Sequence, residues 1–151
     1  MKLKATEPLP LHLSWPIHEH TRHFDLGCIL NAAAADAVEP AEVGGLGFQH
    51  AGCWECDLAD NSLIWSGGVY DIFGLPRGVQ VTREEAVALY FEESRAAMER
   101  LRAYAIEHRC GFTLDAKIRP AIGGRRWMRL IAAPICIGDR VVRLRGLKVI
   151  I

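Results

Sequence analysis

Two cysteines separated by two residues, Cys53 and Cys56, have the spacing with the clearest potential for chemistry in this sequence. A C-x-x-C motif can act as a redox pair when it opens a helix that follows a strand, because the helix N-terminus lowers the pKa of a thiol. Here the motif lies inside a predicted strand, and residues three apart on a strand point to opposite faces. We therefore expect the two sulfurs to diverge, and a thiol-redox protein remains only a lesser alternative.

Histidine and the other cysteines could in principle bind a transition metal. Four histidines lie in the first 23 residues, where no helix or strand is predicted that could hold a ligand geometry: His12, His18, His20 and His23. The other candidates are scattered singly, without the paired spacing of structural zinc sites: His50, His108, Cys110 and Cys136. The sequence predicts no metal site.

The sequence also lacks a clear motif for catalysis or for phosphate binding. No Ser-His-Asp or Cys-His arrangement can be placed on neighbouring predicted elements. The glycine-rich stretch Gly44-Gly45-x-Gly47 lacks the preceding strand and following helix that a phosphate loop requires. We predict no catalytic residues and a protein that is not an enzyme.

The overall charge and hydropathy indicate which partners and which location to expect. The 151 residues include 18 Lys and Arg against 18 Asp and Glu, so the formal net charge is zero and a nucleic-acid partner is not expected. No apolar run approaches the roughly 20 residues of a membrane span, and the N-terminus lacks an apolar export segment. We expect a cytoplasmic protein whose five cysteines are reduced.

The cysteine pair belongs to a predicted hairpin that carries two tryptophans. Residues 54–58 and 63–65 are predicted as strands joined by the turn residues Asp60 and Asn61. Ser66 is a candidate N-cap for a short helix that Gly74 and Pro76 terminate. Further along, the capping-box spacing of Thr82 and Glu85 predicts a helix over 83–91. A longer helix is predicted over 94–108, and strands over 112–119, 126–134 and 141–151.

The first part of the chain is predicted as an arm and one amphipathic helix. Apolar residues recur at helical spacing over about 24–38: Leu26, Ile29, Leu30, Ala33 and Ala37. This helix either packs on its own domain or pairs with a second subunit, and its apolar residues are our candidates for a homodimer interface. We place the domain boundary between residues 46 and 47.

The hairpin and the helix after it resemble a known family. The pattern W-E-x-D-L-x-x-N-x-L-x-W-S, followed by Y-x-I-F-G-L-P, is similar to the start of a PAS domain of the subgroup with Trp-bearing first strands. The run R-R-W-M-R and the later G-D-R-V-V-R-L-R-G resemble the closing hairpin of that family. Residues 91–95 depart from the His-Pro-x-Asp-Arg-like segment that usually introduces the long helix. The resemblance covers roughly residues 47–150.

The resemblance implies an α+β fold, with a five-stranded antiparallel sheet and short helices plus one longer helix on one face. It also implies a cavity between sheet and helices. The residues expected to line it are Trp54, Cys56, Trp65, Tyr70, Phe73, Met98, Leu101, Phe112, Leu114 and Met128. Such side chains suit an apolar ligand pocket. They suit a solid core equally well.

The same resemblance implies a function, and it allows the cofactors of the family to be compared with this sequence one by one. Flavin-binding photosensor relatives carry a reactive Cys in an Asn-Cys-Arg-Phe-Leu-like helix, which is absent here, since Cys110 comes too late. A haem ligand could only be His108, at the end of the long helix. Neither cofactor is favoured, and the cofactor stays unassigned. The predicted function is a signalling module that binds a small ligand and regulates an effector of kinase, cyclase or phosphodiesterase type. The alternative is a homodimeric interaction scaffold with a filled core.

Overall fold

The computed structural model describes residues 28–30 and 50–151. The described chain forms six strands and three helices: β1 (Cys28–Leu30), β2 (Ala51–Asp57), β3 (Leu63–Trp65), α1 (Gly67–Phe73), α2 (Arg83–Val87), α3 (Glu92–His108), β4 (Gly111–Ile118), β5 (Arg126–Ile137) and β6 (Arg140–Ile150). None of the helices in these ranges is long and apolar enough to cross a membrane.

All strands belong to one antiparallel sheet with the order β1-β4-β5-β6-β2-β3. Strand β6 lies near its centre, where Ala51 of β2 pairs with Val149 and Leu130 of β5 pairs with Lys148. The three helices cover one face, and the main core lies between them and the sheet. The predicted α+β architecture, with five antiparallel strands and the longer helix following the short ones, is confirmed.

The N-terminal helix prediction is wrong at the residues that the structure describes. Residues Cys28–Leu30 form the short edge strand β1, in which Ile29 pairs with Phe112 and Leu30 with Gly111 of β4. Strand β4 would otherwise present a row of unpaired backbone groups at the edge of the sheet, and such an edge favours an added strand. The other predicted helix and interface residues, Leu26, Ala33 and Ala37, lie outside the described residues, as do the arm with its four histidines and residue 46 at the proposed boundary.

Helix α2 is shorter than the sequence predicts. It begins with the predicted capping box, in which the Thr82 hydroxyl accepts from the Glu85 backbone N–H and the Glu85 carboxylate accepts from the Thr82 backbone N–H. It ends at Val87 because the following chain turns to the sheet. Tyr90 forms a β-bridge with Ile118, and this backbone pairing replaces the last helical turn that the sequence predicts.

A buried serine anchors the start of α3. The Ser94 side chain is fully buried, and its Oγ accepts a bond of 2.9 Å from the backbone N–H of Lys117 in β4. The bond satisfies a hydroxyl that would be costly to bury alone. It fixes α3 over the sheet, so that Met98 and Leu101 point into the interior.

Replacing Gly146 with alanine is expected to lower the free energy of unfolding by about 2 kcal/mol, since overpacking costs roughly 1–3 kcal/mol. Gly146 lies opposite Trp54 on β2, and an added Cβ would collide with the backbone carbonyl group of Ile131 in β5. Urea unfolding followed by circular dichroism measures the loss. The matched control is Gly124→Ala, where no atom lies within 4 Å of the added Cβ. Equal losses for the two variants would contradict this prediction.

Candidate functional site

A cavity of about 60 Å³ lies between the sheet and the helices. Its walls come from strands β2, β3, β4, β5 and β6 and from all three helices, with Tyr90 following α2. The lining side chains are mostly apolar or aromatic: Trp54, Cys56, Leu63, Trp65, Phe73, Ala86, Val87, Met98, Phe112, Leu130 and Leu144. The polar lining residues are Tyr90 and three cations, Arg83, Arg102 and Lys148.

Aromatic rings define one end of this cavity. Trp65 stacks on Phe73 with ring centroids 5.1 Å apart and an interplanar angle of 15°. Phe73 in turn lies 6.0 Å from Tyr90. These separations are typical of aromatic pairs that add packing energy beyond their buried area. The rings therefore form a packed aromatic wall.

Lys148 places an amine within this aromatic wall. The residue is 7% exposed, and its Nζ donates a bond of 2.9 Å to the Tyr90 hydroxyl. The same Nζ lies 5.1 Å from the ring centroid of Trp54, 5.5 Å from that of Phe73 and 5.6 Å from that of Tyr90. Across residues 50–151, no carboxylate forms an ion pair with Lys148.

Burial controls the protonation of these groups. Loss of solvation, helped by the nearby Arg83 charge and opposed by Cys56, lowers the pKa of Lys148 from 10.5 to about 7. Burial also raises the pKa of Tyr90, an effect that Arg83 opposes and Glu99 reinforces. The amine is thus close to half protonated at neutral pH, beside a phenol that stays neutral.

Two arginines lie where the cavity meets the surface. Arg83 pairs with Glu99 of α3 and is only 18% exposed. Arg102 donates a bond of 3.0 Å from Nη2 to Oδ1 of Asn61. A polar surface groove of about 440 Å³ runs beside them between residues 60–63 and 80–84, and Leu63 and Arg83 line both groove and cavity. The groove and the cavity therefore share part of their walls.

Solved structures with the same architecture are known. The structure of a sensory box histidine kinase/response regulator from Burkholderia thailandensis matches with a TM-score of 0.60 at 18% identity, covering 75% of this chain and 85% of that one. The N-terminal domain of a diguanylate cyclase with a PAS/PAC sensor, from Marinobacter aquaeolei, matches with a TM-score of 0.59 at 15% identity, covering 65% and 92%. The chain adopts the PAS fold.

An RNA-binding light-oxygen-voltage receptor also matches, with a TM-score of 0.60 and 15% identity over 67% of this chain. The match spans 29% of that receptor's length. No protein-family model matches the sequence, and no curated protein does so at a significant level.

Six of the ten residues predicted for a PAS cavity line it: Trp54, Cys56, Trp65, Phe73, Met98 and Phe112. The other four lie elsewhere. Leu101, Leu114 and Met128 are packed into the core with at most 1% exposure. Tyr70 is half-buried near the surface, where its hydroxyl donates to the Val79 carbonyl.

The polar part of the cavity was not predicted from the sequence. Lys148 could have been found by its place in the strand, because it follows Leu144 at an even spacing and such residues share a face. Arg83 carried no comparable signal, since a charged residue in the first turn of a capped helix usually points to solvent. Tyr90 fell within a predicted helix, which hid its position over the sheet.

The two cysteines of the C-x-x-C motif lie on opposite faces of the PAS sheet. Cys56 lines the cavity, whereas Cys53 packs with Leu147 and Val149 on the outer face. Burial raises the pKa of both thiols, although Arg102 partly opposes this for Cys56. A thiol with a raised pKa is a weaker source of thiolate, and both observations count against a redox pair.

Protonation of Lys148 should give folding a distinctive pH dependence. Its pKa is about 7 in the folded protein and ordinarily 10.5, so the unfolded chain binds more protons between these values. The free energy of unfolding therefore rises with pH across this window, by up to about 1.4 kcal/mol per pH unit. We expect the difference between wild type and Lys148→Met to show this slope from pH 7 to pH 10.

Urea unfolding at several pH values measures that slope. Above pH 10 ionisation of Tyr90 in the unfolded chain opposes the trend, so the comparison stops there. Lys117→Met is the matched control, because Lys117 lies over the ring of Phe91 away from the cavity and its removal should leave the slope intact. A Lys148→Met variant with the wild-type slope would show that Lys148 does not titrate in this range.

Proposed function

We propose that this PAS-fold chain is a sensory signalling module, not an enzyme. It binds a small molecule in the cavity between sheet and helices and passes the resulting shift to an effector protein. The observation that carries the proposal is the cavity itself, which combines an aromatic wall and a buried amine and adjoins a surface groove. Convergent polar groups in an apolar pocket are typical of ligand sites.

The type of effector is part of the proposal. Two of the similar structures come from a histidine kinase/response regulator and from a diguanylate cyclase with a PAS/PAC sensor. Their architecture matches over most of their own length, which supports a comparable role here. We therefore propose an effector of kinase, cyclase or phosphodiesterase type.

Tyr90 offers a path from ligand to surface. Its hydroxyl accepts from Lys148 on β6, while its backbone bridges to Ile118 on β4. The segment between α2 and α3 is bound to β4 again where the Arg119 N–H donates to the Leu89 carbonyl at 2.7 Å. A ligand that binds the Lys148 amine would thus act on a group that links this segment to the sheet.

A second candidate function is a homodimeric interaction scaffold. The observation that favours it is the filling of the interior, where the fully buried residues include Phe73, Leu101, Leu114 and Met128. A volume of about 60 Å³ is well below the roughly 300–1,000 Å³ of pockets for drug-sized ligands. Light scattering at high protein concentration tests the scaffold, and a monomer there would count against it.

Filling the cavity should abolish ligand binding without unfolding the protein. Ala86 lines the cavity from α2, so Ala86→Leu is expected to occupy the space. The probes are propionate, propionamide, 1-propanol and propylammonium at tens of millimolar. For wild type we expect at least one probe to raise Tm by about 3–5 °C, the effect of a ligand at roughly ten times its Kd. Ala86→Leu should lose that increase.

Ala88→Leu is the matched control, because Ala88 is exposed at the end of the same helix. It should respond to the probes as wild type does. If no probe of any charge raises Tm in wild type, ligand sensing through this cavity is refuted and the scaffold becomes the better proposal.

A further inference from the structure

We propose that the cavity selects a small organic anion, a carboxylate of a few carbons, whose charge is met by the Lys148 ammonium group and the Tyr90 hydroxyl. This inference rests on the proposed function and specifies the chemical class of the ligand.

The charge of Lys148 is not matched by a carboxylate within residues 50–151. A buried ammonium group is costly unless it is paired and hydrogen-bonded. Its only hydrogen bond within the described ranges goes to Tyr90, and ring faces supply the remaining contacts. An ammonium group has three donors, so it can bind a carboxylate oxygen while keeping a contact to the hydroxyl.

The charged side chains around the cavity share one sign. All three charged residues that line it are cations: Arg83, Arg102 and Lys148. Glu99 pairs with Arg83 from α3 but does not line the cavity. An anionic group is therefore favoured at the polar end, and an ammonium ligand is disfavoured by like charge.

The size of the cavity limits the ligand. A cavity of about 60 Å³ holds a few water molecules or a ligand of a few non-hydrogen atoms. Arg83 already pairs with Glu99 and Arg102 with Asn61, and the other walls, including Leu130 and Leu144, are apolar. A short monocarboxylate satisfies both ends of this space, with its oxygens at Lys148 and its alkyl group against the apolar walls.

Binding should be coupled to uptake of a proton. The groups facing Lys148 are Tyr90, Arg83 and Cys56, with Glu99 and Arg102 behind them on α3. Tyr90 stays neutral in the relevant range, because burial raises its pKa. Because the pKa of Lys148 is about 7 in the ligand-free protein, a carboxylate at higher pH must bind together with a proton. Affinity for the anion then falls about tenfold per pH unit above 7.

The test compares propionate with its neutral isostere propionamide in calorimetric titrations of the full chain, with sodium chloride added to equalise ionic strength. Near pH 6.5 wild type should bind propionate at least about tenfold more tightly than propionamide, the preference expected for a charged hydrogen bond. Between pH 7 and 9 the preference should decline, while binding of propionamide stays constant.

Three variants assign the preference to its residues. Lys148→Met should bind propionate no better than propionamide. Tyr90→Phe should keep most of the preference, because it removes one hydroxyl and leaves the ammonium group. Lys117→Met, the matched control, should behave as wild type. If Lys148→Met does not fold, the pH dependence of the wild-type preference carries the test.

The outcomes separate this inference from the function on which it rests. Propionamide binding as tightly as propionate, or a preference that is independent of pH and of Lys148, overturns the anion assignment and leaves ligand sensing intact. An effect of propionate equal to that of sodium chloride also overturns it. Absence of binding by all four probes refutes both proposals.

Discussion

Strand β6 is hydrogen-bonded along both edges, to β5 on one side and to β2 on the other. This double pairing fixes which of its side chains face the helices. Leu144 and Lys148 face the cavity, whereas Leu147 and Val149 form a separate cluster on the outer face. A slip of one residue would exchange the two sets. The apolar core, the aromatic wall around the amine and the position of the cavity therefore depend on the register of this one strand.

The buried amine links the stability of the domain to its proposed use. Removing Lys148 from water costs free energy, and its contacts with three ring faces and one hydroxyl offset only part of that cost. A carboxylate that is hydrogen-bonded to the amine would offset more of that cost. The loss of solvation that makes burial of the Lys148 amine costly thus also favours an anion beside it. Aliphatic side chains fill most of the remaining interior, which restricts such a ligand to a few atoms.

The sequence predicts elements whose signals are local. The hairpin of Trp54 and Trp65, the capping box at Thr82 and the long helix follow from turn chemistry, capping and periodicity, and the structure contains them. The strand at Cys28 was mistaken for helix because its partner, β4, lies more than 80 residues later. The cavity was predictable only in its apolar part. Lys148 and Arg83 reach the same cavity from β6 and from α2, elements far apart in the sequence, and local patterns do not report such a juxtaposition.

The strand order also governs when the interior can close. Ala51 pairs with Val149 and Trp54 with Gly146, contacts that span more than 90 residues. Among the strands of residues 28–30 and 50–151, the hairpin of β2 and β3 has β6 as its neighbour in the sheet. Contacts of such long sequence separation form late and slowly. During synthesis the Trp hairpin therefore lacks its neighbour in the sheet until β6 has been made. The strand that carries the buried amine is the one that pairs the hairpin with the rest of the sheet.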